Sequence, residues 1–375
     1  MLSLGVLLVI CLLASLTPLL PLQAPDHTQT ELQYSEPLFN PLWISTQQLD
    51  WQLVSRSPRI TKSLRDELAK LKSKYSSTTP DTAAAKELRY EIRRKAAEIH
   101  DTVQAPYRKL GFPTLGSLSR WMVRTRYSLF GGYALNSICG RDLFGRDLVA
   151  RLCWGARISL LVGLVATIVS LVIGVTYGAI AGYCGGWIDD VLMRVVDVLY
   201  SVPFVFVVIF LLTILGEESI ADELAFWGIN RITVFYFVVG AIYWLTMSRV
   251  VRGQVISLKH ELYVEAARSL GAGQLRILFW HLLPNLLSVV LVYLTLTIPK
   301  VMLFEAFLSF LGLGVEPPDV SWGLLANEGI KVITPVKVYW WLVLFPSIAL
   351  GTTLLALNFL GDGVRDALDP QLKDA

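Results

Sequence analysis

Six mostly apolar runs constrain the fold of this chain more than any other feature of its sequence. They cover residues 2–22, 158–183, 195–215, 232–247, 286–312 and 340–360. A helix of about 20 apolar residues crosses the hydrocarbon core of a bilayer, which is roughly 30 Å thick. Only 17% of the residues are charged, whereas a soluble domain averages about 25%, so there is too little polar surface to cover a water-exposed globule. The sequence therefore predicts an all-α membrane protein with six transmembrane helices.

The first run has the length of a transmembrane helix but not the flanks of a signal peptide. No Lys or Arg precedes it, and cleavage after Gln23 and Ala24 would face Pro25. A signal peptide carries positive charge before its apolar stretch and small residues at its cleavage site. We therefore expect residues 1–22 to form a retained transmembrane helix.

The long polar stretch between the first two runs predicts a helical hairpin in water. Apolar residues recur at helical spacing over 60–75 and again over 88–99, and charged residues fill the other faces. The sequence Ser-Ser-Thr-Thr-Pro-Asp at 76–81 separates the two patterns. We expect an insertion at 23–138 that contains an antiparallel helical hairpin. A docking surface and a solvated decoration would both have this pattern.

The charges of two short loops predict the orientation. Residues 248–284 hold five basic and two acidic residues, whereas 216–231 hold four acidic residues and Arg231. Because basic loops stay in the cytoplasm, the first loop is predicted to be cytoplasmic and the second external. Both termini are then cytoplasmic and the insertion is extracytoplasmic. Arginines that would lie outside, against the rule, stand at 141, 146, 151 and 157.

Short enzyme motifs are missing from the sequence. His260-Glu261 begins like the zinc-protease pattern H-E-x-x-H, but Val264 stands where the second His belongs. There is no G-x-x-x-x-G-K-[ST] phosphate loop and no G-x-S-x-G elbow. Of the four cysteines, Cys139 and Cys153 could pair outside the cytoplasm, and free thiols are the alternative. We expect no catalytic residue, metal site or cofactor in this chain, and its net charge of +3 gives no indication of nucleic-acid binding.

Glycines recur every four residues in the second run, at Gly174, Gly178, Gly182 and Gly186. Small residues at this spacing let helix backbones approach closely in a membrane. The pattern predicts a packed helix face. The neighbour is either another helix of the same chain or a partner subunit, and glycine tolerated without close contact is the alternative.

Two ionisable residues, Lys300 and Glu305, stand within the fifth run. Such groups at membrane depth usually face protein or a water-filled path. Pro299 frees a backbone carbonyl one turn back, which also favours a place inside protein or beside a cavity. We interpret both as candidates to line a translocation path. Mutual neutralisation is the alternative, although a spacing of five does not make them ideal helix neighbours.

The stretch "YVEAARSLGAGQLRILFWHLLPN" (263–285) predicts a short helix with a defined C-terminal end. Residues 263–270 favour a helix, Gly271 suits the left-handed position that ends one, and 274–280 can form a second short helix. Ala266 and Ala267 would make a flat patch beside the Glu265 carboxylate. From the residues alone, this surface either docks a partner or lies on lipid headgroups.

This loop resembles the E-A-A-x-x-x-G signature of permease subunits of binding-protein-dependent ABC importers, in which a Leu-Pro follows. Here the pattern spans residues 265–271, and Leu283-Pro284 follows. Four other segments stand in the family order: "GRDLFGRDLVARLCWGARISLLVG" (140–163), "GGWIDDVLMRVVDVLYSVP" (185–203), "EAFLSFLGLGVEPPDVSWG" (305–323) and "NFLGDGVRDALDP" (358–370). Over 139–371 the chain is similar to the C-type permease of dipeptide/oligopeptide importers.

The resemblance implies a five-helix importer permease core at 139–375, with a cytoplasmic coupling loop at 248–284. It implies a bacterial inner-membrane complex of two homologous permeases, two cytoplasmic ATPases that bind ATP and Mg, and an extracytoplasmic solute-binding protein. The coupling residues implied by position are Glu265, Ala266, Ala267, Leu270 and Gly271. Three features depart from the family pattern: Arg141 replaces a threonine, Pro299-Lys300 replaces small residues, and the polar region at 40–138 is longer than usual.

The function that the resemblance implies is ATP-driven import of di- or oligopeptides. This chain would supply the translocation path and the coupling loop that transmits motion, and partner chains would hydrolyse ATP. Another small solute, such as a nickel chelate or an opine-like compound, is the alternative within the same mechanism. Two alternatives have a different mechanism: an ion-coupled transporter that uses Lys300 and Glu305 as a relay, and a membrane sensor or scaffold built on the hairpin.

Overall fold

The computed structural model of the protein describes residues 2–37, 43–77, 83–217, 220, 224, 229 and 231–368, and its regular elements are mostly α-helices. The helices are α1 (Leu2–Leu16), α2 (Trp51–Ser76), α3 (Ala83–Arg108), α4 (Ser117–Phe130), α5 (Leu148–Cys184), α6 (Gly186–Ser201), α7 (Phe204–Leu215), α8 (Arg231–Leu258), α9 (Leu262–Ser269), α10 (Gln274–Phe310), α11 (Trp322–Lys331) and α12 (Trp340–Leu368). Strands β1 (Trp43–Ser45) and β2 (Tyr133–Leu135) form an antiparallel pair in which Ile44 lies opposite Ala134.

Five of the described helices are long and apolar enough to cross a membrane: α1 with its following turn, α5, α8, α10 and α12. The pair α6 and α7 makes a sixth span if the two are counted together. The prediction of an all-α membrane protein is therefore confirmed. The predicted count of six spans depends on whether α6 and α7 cross the membrane as one unit.

The predicted span at 195–215 is interrupted, because the chain bends by 85° between α6 and α7. Val202 adopts an extended conformation, with φ −85° and ψ 127°, and Pro203 follows it. Proline disfavours the helical conformation at the residue before it, and it lacks the N–H that would continue the helix. α6 therefore ends at Ser201, and α7 starts in a new direction.

α5 lies at the centre of the fold and contacts α1, α6, α8, α10, α11 and α12. It begins ten residues before the predicted start at 158, because the Asp147 carboxylate caps it and accepts hydrogen bonds from the N–H groups of Val149 (2.8 Å) and Ala150 (3.3 Å). It ends at Gly185, where φ is +65°. At about 1.5 Å per residue, this helix of 37 residues is roughly 55 Å long.

The predicted second short helix at 274–280 is not a separate element. It continues into the next span through a π-helical stretch, Ile277–Leu282, and the whole forms α10. Pro284 follows this stretch and cannot donate the hydrogen bond that a regular helix would need from it. A π-helical turn is one way in which a helix accommodates such a local break.

Helices α2 and α3 occupy the region where the helical hairpin is predicted, and they pack against each other. Lys95 of α3 contacts Glu67 of α2 at 2.9 Å, while Leu64 and Ile92 are buried. The predicted link at 76–81 lies mostly outside the described residues. α4 and the β1–β2 pair were not predicted. Trp154 of α5 joins the apolar cluster at the base of the insertion, so the insertion packs against the membrane helices.

Candidate functional site

The loop between α8 and α10 folds as the short helix α9, which ends in a hydrogen-bonded cap. Gly271 has φ +83°. The N–H of Ala272 donates to the carbonyl of Ala267 at 3.0 Å, and the N–H of Gly271 donates to the carbonyl of Arg268 at 3.0 Å. These two bonds around a left-handed residue define a Schellman motif, which satisfies carbonyls that the end of a helix leaves open. The direction of the chain after α9 is therefore fixed by its backbone.

The expected flat patch of Ala266 and Ala267 is wrong, because the two side chains face different ways. Ala267 is buried together with Val264, whereas Ala266 is exposed beside Glu265. Residues three apart share a face of a helix, and adjacent residues do not. The inner face of α9 therefore packs on the body of the protein, and its outer face carries Ala266 and the Glu265 carboxylate.

Large apolar side chains surround that outer face. Leu270 is 89% exposed and Leu262 is 80% exposed, and they flank α9 at its two ends. Leu275 and Trp280 at the start of α10 are 73% and 78% exposed. A concentration of exposed apolar side chains marks a surface that contacts a protein or a membrane. The predicted coupling residues did not include Leu262, Leu275 or Trp280, although apolar residues within a charged loop were a visible signal.

The three glycines of the predicted packing face lie against α8. A Cβ atom on Gly174 would stand 2.6 Å from Cβ of Met247, and one on Gly182 would stand 2.8 Å from the carbonyl oxygen of Arg252. At Gly178 the added atom would overlap the carbonyl oxygen of Ser248. The neighbour is thus a helix of the same chain. Gly186 differs, because it lies beyond the end of α5 and nothing stands within 4 Å of it.

Lys300 and Glu305 have opposite surroundings. Glu305 is fully buried, and its carboxylate accepts a hydrogen bond from the hydroxyl of Ser309 at 2.8 Å. Lys300 is exposed on α10. Among the ion pairs of the described residues, none joins the two, so they do not neutralise each other. In this conformation Glu305 lies inside the protein and does not line an open path, and only Lys300 remains accessible.

Two of the four arginines that contradict the charge rule, Arg146 and Arg151, are buried and paired with carboxylates. Arg146 contacts Asp142 at 2.7 Å and Asp26 at 2.9 Å, and it reaches Glu328 of α11 at 3.3 Å. Arg151 contacts Asp142 at 2.7 Å and also pairs with Glu328. Burial alone lowers the pKa of Arg146, but the surrounding carboxylates outweigh it and raise the pKa. These arginines therefore connect α5, α11 and the N-terminal segment.

Arg157 makes polar and ring contacts, and the cysteines are unpaired. Arg157 donates a hydrogen bond to the hydroxyl of Ser119 at 2.9 Å and lies over the ring of Trp154. All four cysteines are free thiols. Burial raises the pKa of Cys139 to about 11. Among the described residues, no group of three or more His, Cys, Asp or Glu side chains could hold a metal ion.

Comparison with known proteins identifies the family of the chain. Residues 174–374 match the family described as binding-protein-dependent transport system inner membrane component. The chain belongs to this family. It is a multi-pass permease subunit of a binding-protein-dependent ABC importer, and the apolar helices described above are consistent with that role.

Curated relatives match 62–69% of this chain at 40–44% identity. The dipeptide transport system permease protein DppC of Bacillus subtilis (strain 168) is 44% identical over 234 residues, which cover 62% of this chain and 68% of DppC. The oligopeptide transport system permease protein OppC of Haemophilus influenzae is 42% identical over 260 residues, which cover 69% of this chain and 78% of OppC. The glutathione transport system permease protein GsiD of Pectobacterium atrosepticum is 40% identical over 62% of this chain and 72% of its own length.

Proposed function

We propose that this permease imports short peptides, together with a second homologous permease, two cytoplasmic ATPases and an extracytoplasmic solute-binding protein. The exposed outer face of α9 carries this proposal, because it offers a carboxylate on a capped helix with exposed apolar side chains at its ends. The names of the dipeptide and oligopeptide relatives support peptides as the solute. In this arrangement the chain lies in the bacterial inner membrane with both termini in the cytoplasm.

The proposed coupling residues are Glu265, Ala266, Leu270 and Gly271, and Ala267 supports them from the buried side of α9. An ATPase that binds ATP would push or pull α9. α8 ends at Leu258, four residues before α9 starts, and α10 begins at Gln274, so both spans would follow. The glycine contacts would make α5 move with α8. ATP and Mg are bound by the partner ATPases in this proposal, and this chain holds no cofactor.

Substitution of Gly271 tests the coupling role. Valine at φ +83° places a β-branched side chain in the left-handed region, where such residues are outliers. Gly273 is the matched control, because its φ of −68° suits any residue and nothing stands within 4 Å of it. We expect Gly271→Val to remain inserted in the membrane but to lose co-purification with the ATPases or solute-stimulated ATP hydrolysis, and Gly273→Val to keep both. Full transport with unchanged co-purification in Gly271→Val would refute the assignment.

Reconstitution into proteoliposomes tests the transport mode. We expect dipeptide or oligopeptide uptake only when the second permease, the ATPases and the binding protein are present with ATP. Uptake that follows a proton gradient without any ATPase would show an ion-coupled transporter instead. Transport of a nickel chelate or an opine-like compound in place of peptides would keep the mechanism and replace the solute.

A further inference from the structure

α6 is joined to the cytoplasmic half of α8 by ion pairs more than by packing. Only Asp189 and Val196 are buried among its 16 residues, and Trp187 is 77% exposed. The guanidinium of Arg252 donates two hydrogen bonds to the Asp189 carboxylate, at 2.5 Å and 2.6 Å. Paired bonds of this kind between arginine and a carboxylate are strong and fix the relative orientation of the two groups.

A second set of contacts lies along the same two helices. Arg249 donates a hydrogen bond to the Asp197 carboxylate at 2.7 Å, and its guanidinium lies 4.3 Å from the ring centroid of Tyr200. The hydroxyl groups of Tyr200 and Thr246 are 2.7 Å apart. Partners on α8 follow at three-residue steps from 246 to 252, while those on α6 run from 200 back to 189. The two helices are therefore antiparallel and are attached at three points.

The position of these contacts links α9 to α7. Arg252 lies six residues before the end of α8, close to the start of α9, and α6 leads through the 85° bend at Pro203 into α7. Lys259, just past α8, donates a hydrogen bond to the carbonyl of Gly182 at the end of α5. The cytoplasmic ends of α5, α6 and α8 are thus tied to each other within one short region.

We infer that Asp189 and Asp197 are positioning residues that make α6 and α7 follow α8 when α9 moves. Without these pairs, α6 would keep little contact with α8, since most of its apolar side chains are exposed. Motion that enters at α9 would then reach α6 only through its junction with α5, and α7 only at the far end of α8, where Val208 is buried with Val234 and Val238. This inference rests on the proposed function, because it assumes that an ATPase moves α9.

The test measures transported peptide and hydrolysed ATP in the same proteoliposomes, with the complete importer. Asp189→Arg and Arg252→Asp each reverse one charge, and the double variant restores an opposite pair. We expect the peptide transported per ATP to fall about tenfold in each single variant, as expected for loss of a charge-assisted bond, and to recover most of its value in the double variant. Asp197→Asn removes the second pair without a change of shape and should lower the ratio as well. Arg194→Gln changes another exposed side chain on α6 and should leave the ratio unchanged.

The outcomes separate the possible roles. If the pairs only hold the fold together, transport and hydrolysis fall in parallel at an unchanged ratio, and the inference is wrong. An unchanged ratio in both Asp189→Arg and Asp197→Asn, or a double variant no better than the single ones, would also overturn it. Failure of the proposed function has a different result, because the unmodified complex would then show no ATP-dependent peptide uptake. ATPase co-purification should stay intact in every variant, since α9 is unchanged.

Discussion

Replacement of Gly178 by alanine tests whether direct backbone contact holds α5 against α8. The added Cβ would overlap the carbonyl oxygen of Ser248, and it would lie 3.0 Å from both the carbonyl carbon and the Cα of the same residue. These are backbone atoms of a long helix, so no side chain can rotate away to make room. The helices must separate locally or one of them must shift.

Gly253 of α8 is the matched control for this change. It also lies within a helix, but nothing stands within 4 Å of a Cβ built there. Alanine is favoured over glycine inside a helix by about 1 kcal/mol, and this gain applies to both positions. Extra atoms in a packed interior cost about 1–3 kcal/mol. We therefore expect Gly178→Ala to be less stable than Gly253→Ala by about 1–3 kcal/mol.

The free energy of unfolding can be measured by titration of detergent micelles with SDS, followed by tryptophan fluorescence. The difference in unfolding free energy between the two alanine variants cancels their shared gain in helix propensity. What remains is the cost of the contact with Ser248. Gly174→Ala should lie between them, because its nearest contacts, 2.6 Å to Cβ of Met247 and 2.9 Å to the carbonyl oxygen of Trp244, are less close than the overlap at Gly178. Equal stability of Gly178→Ala and Gly253→Ala would show that the helices tolerate a wider separation, and the close-packing interpretation would be refuted.

Three further outcomes can be checked independently. Lys300→Met should change the apparent KM for peptide uptake without loss of ATPase co-purification, whereas Lys300→Arg should leave the KM unchanged. If both variants have the KM of the unmodified protein, Lys300 does not line the path. In a variant with Cys139 as its single cysteine, maleimide should react slowly at neutral pH and faster as the pH approaches 11. Burial raises the pKa of the thiol and therefore keeps it protonated at neutral pH. Fast labelling at pH 7 would contradict this. Residues 66–96 can be replaced by a short Gly/Ser turn, because the two ends lie opposite each other where Lys95 contacts Glu67. We expect normal uptake if the hairpin is a decoration. Lost uptake would show a docking role.

Much of the membrane architecture follows from local sequence. Length and hydropathy are local properties, so the apolar runs predict where helices cross the membrane. Gly271 is a local signal as well, because few residues other than glycine suit the left-handed end of a helix. The break before Pro203 was also visible in the sequence, but its angle depends on where α6 attaches to α8 through Asp189 and Arg252.

Other features depend on partners that are distant in the chain. Arg146 meets Asp26 and Glu328, which lie 120 and 182 residues away. A charge count of single loops cannot show such pairing, and this is why the outer arginines looked misplaced. The two faces of α9 could be assigned only once its packing was known, because helical spacing puts Val264 and Ala267 on one face but does not show that this face turns inward. Glu305 shows the same limit, since the sequence could not tell a buried carboxyl group from one that lines a path.

The arginine pairs at the N-terminal end of α5 also restrict how that helix can move. Arg151 lies in its first turn and pairs with Glu328 of α11, so sliding of α5 along its axis would separate charges that are removed from water. Loss of one partner from a buried pair is costly, whereas rotation about this end keeps the pairs together. For a helix roughly 55 Å long, a tilt of about 5° moves the opposite end by roughly 5 Å. If α5 tilts, the ion pairs at its N-terminal end favour a pivot there, and the largest displacement then lies at its other end, beside Lys259.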